Sequence, residues 1–177
     1  MGHSYAVAAE GLSAPRVGLL SNGHEDGKGN EQVRAAEALI RALPVNFVGQ
    51  IEPTEAFRGG CDVLVCDGFV GNVMLKTVEA TAEVVSRLLR EEILRHTSGR
   101  LGAWLLRGAL TRFRKRTDYG EFGGGLLLGV RGVVVIGHGR SDSSAVFGAV
   151  SRASQLASQG IVSQLEETMA AAGGGGG

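Results

Sequence analysis

Three short glycine-rich loops contain most of the polar side chains in this sequence that could do chemistry. They are SNGHEDGKGN (21–30), CDGFVGN (66–72) and GHGRSD (137–142). Each follows a short apolar run and precedes a run with helical periodicity, so each is predicted to connect a strand to a helix. Lys28, His138 and Arg140 add side-chain donors, and the free N–H groups at the start of a helix favour anions. Together the loops predict an anion site, with phosphate as the expected anion.

The residues between these loops predict the elements that must position them. Strands are expected at 16–20, from Val45, at 62–66 and at 132–136. Helices are expected after Asn30 as N-cap and up to Pro44, from Val70 to about Arg95, and from Ser143 to about Met169, with 117–125 as a loop. The helix after Asn30 has its apolar residues at helical spacing: Val33, Ala36, Leu39, Ile40 and Leu43.

This alternation of strands and helices predicts an α/β fold, with an open, mostly parallel sheet and helices on both faces. In such a sheet the turns that follow the strands lie at the carboxyl edge, where ligands bind. All three loops are therefore expected at one edge.

Each candidate residue also has a purely structural interpretation. The alternatives are turn geometry for Gly68 and Gly71, solvation for Lys28, a structural role for His138, helix capping for Asp142, and stabilisation of their own turn for Asp67 and Asn72. The glycines match neither GxGxxG nor GxxxxGK[ST], so neither a dinucleotide fingerprint nor a P-loop is present.

Length and composition indicate how many domains to expect and which classes of protein are excluded. The 177 residues suit one domain, which we place at 1–168, and the glycine-rich tail at 169–177 is expected to be disordered. Eighteen basic and 18 acidic residues cancel, so the chain as a whole has no general attraction to nucleic acid. The first ten residues lack the pattern of a signal peptide, and no apolar run is long enough to span a bilayer.

Cys61 and Cys66 have four residues between them, which is not a CxxC redox or zinc spacing. Reduced cytosolic thiols are the expected state. The two residues could serve as acyl carriers, but their apolar strand neighbours favour buried core positions.

The segment 98–116, SGRLGAWLLRGALTRFRKR, combines an apolar helical face with a basic one. It lies within a block, from Arg87 to Arg116, that contains nine basic residues and only two acids. A basic amphipathic helix with Trp and Leu is typical of an interfacial membrane anchor. A helix hairpin at a dimer interface explains the same pattern equally well. The candidate membrane-binding residues are Leu101, Trp104, Leu105, Arg107, Phe113 and Arg114.

Several motifs, in order, resemble the PlsX family of bacterial phosphate acyltransferases. They are PRVGLLSNGHEDGKGNE (15–31), NFVGQIE (46–52), DVLVCDGFVGNVMLKT (62–77), LLLGVRG (126–132) and VVVIGHGRSD (133–142). The resemblance implies transfer of a fatty acyl group from acyl carrier protein to inorganic phosphate, with no cofactor and no metal. It also implies an isocitrate/isopropylmalate dehydrogenase-like fold, a homodimer and a cytoplasmic, peripherally membrane-associated location. A glycerol-3-phosphate acyltransferase would act downstream.

The resemblance also implies roles for individual residues. Lys28 and Asn72 would be the catalytic pair, with Asn72 donating to the oxyanion and Lys28 neutralising negative charge. The residues implied in phosphate or substrate binding are Asn30, Asp67, Gly68, Gly71, His138, Gly139, Arg140 and Ser141. The match covers only the carboxyl-terminal half of the family. Two alternatives therefore stand beside it: a phosphotransacetylase or phosphotransbutyrylase-like enzyme that uses acyl-CoA, and a truncated non-catalytic fragment that associates with membranes.

Overall fold

A computed structural model describes residues 1–23, 28–117, 124–137 and 141–173. Within these ranges the chain forms two compact units. Unit 1 comprises Met1–Asp67, Leu126–Ile136 and Ser151 onward, and unit 2 comprises Gly68–Gly125 and Gly137–Val150.

Unit 1 is built on a three-stranded parallel sheet. Its strands are β1 (Arg16–Leu20), β2 (Asn46–Ile51) and β3 (Val63–Val65), in the order β2-β1-β3. The α/β class and the three predicted strands are thus confirmed. β1 is the central strand, and Val17, Leu19 and Leu20 are buried in it. A Cβ on Gly18 would lie 2.5 Å from Cγ1 of Ile51, which explains a glycine in this strand.

β2 carries one residue more than β1 at the point where the register shifts. Val17 faces Phe47 but Gly18 faces Gly49, so Val48 is left over as a bulge. Gly49 has a φ of 97°, a backbone conformation that is strained for any residue with a side chain. The bulge therefore accounts for the glycine in β2.

The helices of unit 1 are α1 (Gly2–Glu10), α2 (Glu31–Arg41), α3 (Pro53–Phe57) and α8 (Ile161–Gly173), together with the second half of α7 (Ser143–Ser158). Sequence reasoning did not predict α1, which packs on α8 and β3, or the short α3. Arg152 of α7 donates to the Tyr5 hydroxyl (2.9 Å) and pairs with Glu10, which fixes α1 in place.

The prediction of a single helix from Ser143 to about Met169 was wrong, because two helices are observed there. It divides at Gly160, whose φ of 65° lies in the left-handed region that ends helices, and Leu156 and Ile161 are fully buried on either side. The second helix, α8, extends to Gly173, past the predicted start of the tail at residue 169. Residues 174–177 lie outside the described part of the chain.

The strand predicted at 132–136 is observed only at Val135–Ile136, which form β5. Among the described strands it pairs with β4 (Gly125–Leu126) alone, in a separate two-stranded sheet. The expectation that it joins the parallel sheet was therefore wrong. The loop predicted at 117–125 includes Gly125, which instead begins β4, and residues 118–123 lie outside the described residues.

Unit 2 is helical within its described part. It contains α4 (Gly68–Leu94), α5 (Thr97–Leu105) and α6 (Arg107–Thr117), together with the first half of α7. The long helix predicted to start near Val70 is confirmed as α4. α5 packs against α4, and α6 packs against α5.

Candidate functional site

The loop after β1 begins on the sheet and ends at α2. The backbone N–H of Ser21 donates to the Ile51 carbonyl (3.0 Å), which extends the β1–β2 ladder by one residue. At the other end of the loop, the Asn22 side-chain oxygen accepts from the Gly29 N–H (3.2 Å). Asn22 and Gly29 are thus held together, although residues 24–27 between them lie outside the described part.

Asn30 caps α2, as predicted. Its backbone is extended, and its side-chain oxygen accepts from the Val33 N–H at 2.8 Å. Because that oxygen is engaged in the cap, the amide NH₂ is the group of Asn30 suited to donate to a ligand. The substrate-binding role of Asn30 stays a prediction that concerns this NH₂ group.

Lys28 lies two residues before the cap residue Asn30, and its side chain is exposed. It is followed by Gly29, which has a φ of 78°. An added Cβ on Gly29 would also approach Cγ1 of Val33 to 2.7 Å, so glycine is required here for both conformation and space.

Asp67 leaves the sheet at the same edge as the loop after β1. β3 lies parallel and next to β1, with Val17 paired to Val63 and Leu19 to Val65. Residues that follow these two strands therefore emerge together at the carboxyl edge. Of the three predicted loops, those after β1 and β3 begin at this edge of unit 1.

The strand before the third loop, β5, belongs to the separate two-stranded sheet and not to the parallel sheet. The predicted binding residues His138, Gly139 and Arg140 lie outside the described residues. Ser141 is half-buried, and Asp142 caps α7 by accepting from the Ala145 N–H at 2.9 Å. The capping role considered for Asp142 is confirmed. Its carboxylate occupies the helix start where an anion would otherwise bind.

The start of α4 contains Gly68, Gly71 and Asn72 within its first five residues. Asn72 is exposed. A Cβ on Gly68 would meet no described atom within 4 Å, so packing does not explain this glycine. The roles of all three residues stay predictions.

The predicted amphipathic segment forms two helices rather than one. α5 and α6 are separated at Leu106, so a single helical wheel over 98–116 was the wrong description. Leu101, Trp104 and Leu105 are each more than 60% exposed, and Phe113 is 51% exposed. The Arg107 guanidinium stacks 5.8 Å from the Trp104 ring. The side chain of Arg114 lies outside the described part. Among the described helices, none has the length and apolar content needed to cross a bilayer.

The two cysteines differ in exposure. Cys61 is half-buried and Cys66 is exposed, so neither cysteine occupies the buried core position that was predicted. Burial raises the pKa of both thiols, and the charge of Asp67 raises that of Cys66 further. A raised pKa disfavours the nucleophilic thiolate. In the described ranges, no group of three or more His, Cys, Asp or Glu residues is arranged to hold a metal ion.

Sequence reasoning missed two residues that shape the first loop, Asn22 and Arg34. The Arg34 guanidinium donates to the Gly29 carbonyl at 2.7 Å. Asn22 sits in a glycine-rich turn, where an Asn commonly bonds to nearby backbone, and that signal could have identified it. Arg34 reads as an ordinary exposed helix residue, and nothing in the sequence marks it.

Comparison with known proteins gives one consistent family. The fatty acid synthesis protein family matches residues 1–164. A phosphate acyltransferase from Acidobacterium capsulatum is 46% identical over 171 residues, covering 97% of this chain and 51% of the relative. Phosphate acyltransferases from Trichlorobacter lovleyi and Geobacter sulfurreducens are each 43% identical over 169 residues, covering 96% of this chain and 49% of the relative. The chain thus spans about half the length of the curated relatives it matches.

Proposed function

Because the chain belongs to the fatty acid synthesis protein family, whose named relatives are phosphate acyltransferases, we propose that it supplies the carboxyl-terminal half of such an enzyme. The proposed substrates are acyl-[acyl carrier protein] and inorganic phosphate. The products are acyl phosphate and the free thiol of the carrier protein, as the first step toward phospholipid synthesis.

The observation that carries the proposal is the carboxyl edge of the parallel sheet in unit 1. There the loop that contains Lys28 and the turn that contains Asp67 follow adjacent parallel strands. An exposed lysine beside an N-capped helix start suits an anionic substrate, because both favour negative charge. Asp67 is proposed to orient other site groups rather than to act as a base.

The proposed reaction needs positioning and charge stabilisation more than a strong base. A phosphate oxygen attacks the thioester carbonyl carbon and forms a C–O bond, while the carbonyl oxygen takes up negative charge. The C–S bond then breaks, the carbonyl re-forms, and the thiolate leaves and takes a proton from solvent. An amide such as that of Asn72 can donate to the oxyanion, and the Lys28 ammonium can neutralise phosphate or the intermediate.

The remaining assignments are proposed from the family motifs. Phosphate or substrate binding is assigned to Asn30, Gly68, Gly71, His138, Gly139, Arg140 and Ser141. The isocitrate/isopropylmalate dehydrogenase-like fold, the single domain over 1–168 and the homodimer are likewise proposed on family grounds. So are a cytoplasmic location with peripheral membrane association and a downstream glycerol-3-phosphate acyltransferase.

An acyl-phosphate assay tests the proposed function. The purified chain is assayed with phosphate and either an acyl-[acyl carrier protein] or the matching acyl-CoA, alone and with the amino-terminal half of a relative added. We expect acyl phosphate from the carrier-protein thioester when both halves are present. Turnover with acyl-CoA but not with the acyl-[acyl carrier protein] would instead identify a phosphotransacetylase-like enzyme. No turnover under any of these conditions would favour a non-catalytic, membrane-associating fragment.

We also propose that α5 and α6 bind an anionic membrane surface. The exposed Leu101, Trp104 and Leu105 support this proposal, as do the basic residues of α6. Sedimentation with vesicles is the test. The chain should pellet with anionic but not neutral vesicles, and Trp104→Ala should weaken pelleting severalfold. Equal binding to both vesicle types, or to neither, would contradict the proposal.

A further inference from the structure

The backbone that carries Lys28 into α2 is held from both sides at Gly29. The Gly29 N–H donates to the Asn22 side-chain oxygen (3.2 Å), and the Gly29 carbonyl accepts from the Arg34 guanidinium (2.7 Å). Asn22 precedes Gly29 by seven residues and Arg34 follows it by five, so the two contacts join both flanks of the loop.

The surroundings of Gly29 leave no space for a side chain at this position. The position of an added Cβ would be 2.7 Å from Cγ1 of Val33 and 3.4 Å from the buried Ser21 hydroxyl oxygen. The φ of 78° also places this residue in a conformation that glycine tolerates best. The two hydrogen bonds therefore hold the Lys28–Gly29 and Gly29–Asn30 peptide groups, which fix the backbone next to Lys28.

We infer that Asn22 and Arg34 are positioning residues, which act through Gly29 to aim Lys28 at the phosphate substrate. This inference rests on the proposed function, in which the Lys28 ammonium neutralises phosphate or the intermediate. A lysine side chain loses conformational entropy when it binds a ligand. Because the backbone at Lys28 is already fixed, binding costs only the entropy of the side chain and not that of the backbone as well. The charge of Arg34 also lies in the first turn of α2, so it adds to the positive potential near the loop.

The test uses the full chain and two readouts by NMR: exchange of the Gly29 amide proton, and a titration with inorganic phosphate followed at the Lys28 and Gly29 amides. Asn22→Ala should speed Gly29 exchange and weaken phosphate binding, each about threefold to tenfold, as expected for one lost hydrogen bond. Arg34→Met should weaken phosphate binding at least as much, and Arg34→Lys should restore most of the affinity.

Two controls separate positioning from general destabilisation. Arg41→Met removes the same charge from the other end of α2, where Arg41 pairs with Glu37, and should leave phosphate affinity unchanged even if the melting temperature falls. In a Lys28→Ala background, Asn22→Ala should produce no further loss of affinity, because a residue that acts only through Lys28 has nothing left to position.

The outcomes distinguish the two proposals. If Lys28→Ala weakens phosphate binding but Asn22→Ala and Arg34→Met do not, the positioning role is overturned and the proposed function stands. If wild type and Lys28→Ala show the same response to phosphate, with the amino-terminal half of a relative also supplied, the assigned role of Lys28 fails. The positioning role then fails with it.

Discussion

At the scale of single residues, the chemistry depends on two groups that were assigned from sequence motifs, Lys28 and Asn72. Lys28 lies in the loop after β1 in unit 1. The next residue, Gly29, bonds to Asn22, and the residue after that is the N-cap Asn30. Asn72 is exposed in the first turns of α4, in unit 2. Each position leaves the side chain able to reach a ligand, which a buried structural role would not.

Lys28→Ala and Asn72→Ala should each lower turnover by about 10²–10³ in the active form, because each removes one group that stabilises developing charge. The measurement is steady-state acyl-phosphate formation with both halves of the enzyme present. Glu31→Gln, next to the same N-cap, serves as the matched control and should change the rate little. Near-normal turnover in both alanine variants would rule out the catalytic assignment.

Arg16 and Asp62 form a second residue-scale feature, which concerns stability. The Arg16 guanidinium donates to both carboxylate oxygens of Asp62 at 2.8 and 3.0 Å. These hydrogen bonds lower the pKa of Asp62 to about 2. They join the start of β1 to the residue before β3, so they support the pairing of the two strands.

Because the pKa of Asp62 is lowered in the folded state, its contribution to stability should be complete above pH ~4 and lost as pH falls toward 2. Asp62→Asn should therefore lower the melting temperature at pH 7. The difference from wild type should shrink as the pH is lowered from 4 to 2. Thermal unfolding by circular dichroism across this range is the measurement. A difference that does not change with pH would show that the carboxylate charge is not responsible.

At the scale of secondary structure elements, the corner between α4 and α5 sets the direction in which the exposed apolar residues of α5 point. α5 packs back against α4, and the Arg100 side chain donates to the Leu94 carbonyl at 3.2 Å. Gly99 makes this close approach possible, since a Cβ there would overlap the Ile93 carbonyl oxygen.

Gly99→Ala should destabilise this corner by about 1–3 kcal/mol, the usual cost of overpacking. Gly102→Ala in the same helix is the matched control, because a Cβ there meets no described atom within 4 Å. That variant should be neutral, or more stable by up to ~1 kcal/mol through helix propensity. Urea unfolding followed by circular dichroism measures both variants. Equal effects of the two substitutions would contradict the proposed steric role of Gly99.

At the scale of the whole molecule, the described chain leaves much apolar surface exposed. Phe69, Phe147 and Leu39 are each more than 70% exposed, whereas the buried apolar residues all lie in unit 1. The sheet has three strands, with β2 and β3 on the outside. Exposed apolar surface and outer strands both favour association with another polypeptide.

The purified chain should therefore self-associate, with an average mass that rises with concentration in sedimentation experiments. Addition of the amino-terminal half of a relative should lower that average mass, because a specific partner then competes for the same surface. A monomer at every concentration tested would contradict this prediction.

The sequence alone determined the features that depend on neighbours a few residues apart. The three parallel strands, the helices α2 and α4 and the two caps at Asn30 and Asp142 were all predictable from apolar periodicity and capping chemistry. Family membership was equally readable, since it rests on the order of short motifs.

Only the tertiary structure decided how distant segments combine. The sequence could not show that β5 pairs away from the parallel sheet or that the last helical stretch breaks at Gly160. It could not show that Arg34 binds the Gly29 carbonyl either. These outcomes depend on packing and hydrogen bonds between groups brought together by the fold. A local pattern that is compatible with several partners cannot specify which of them it meets.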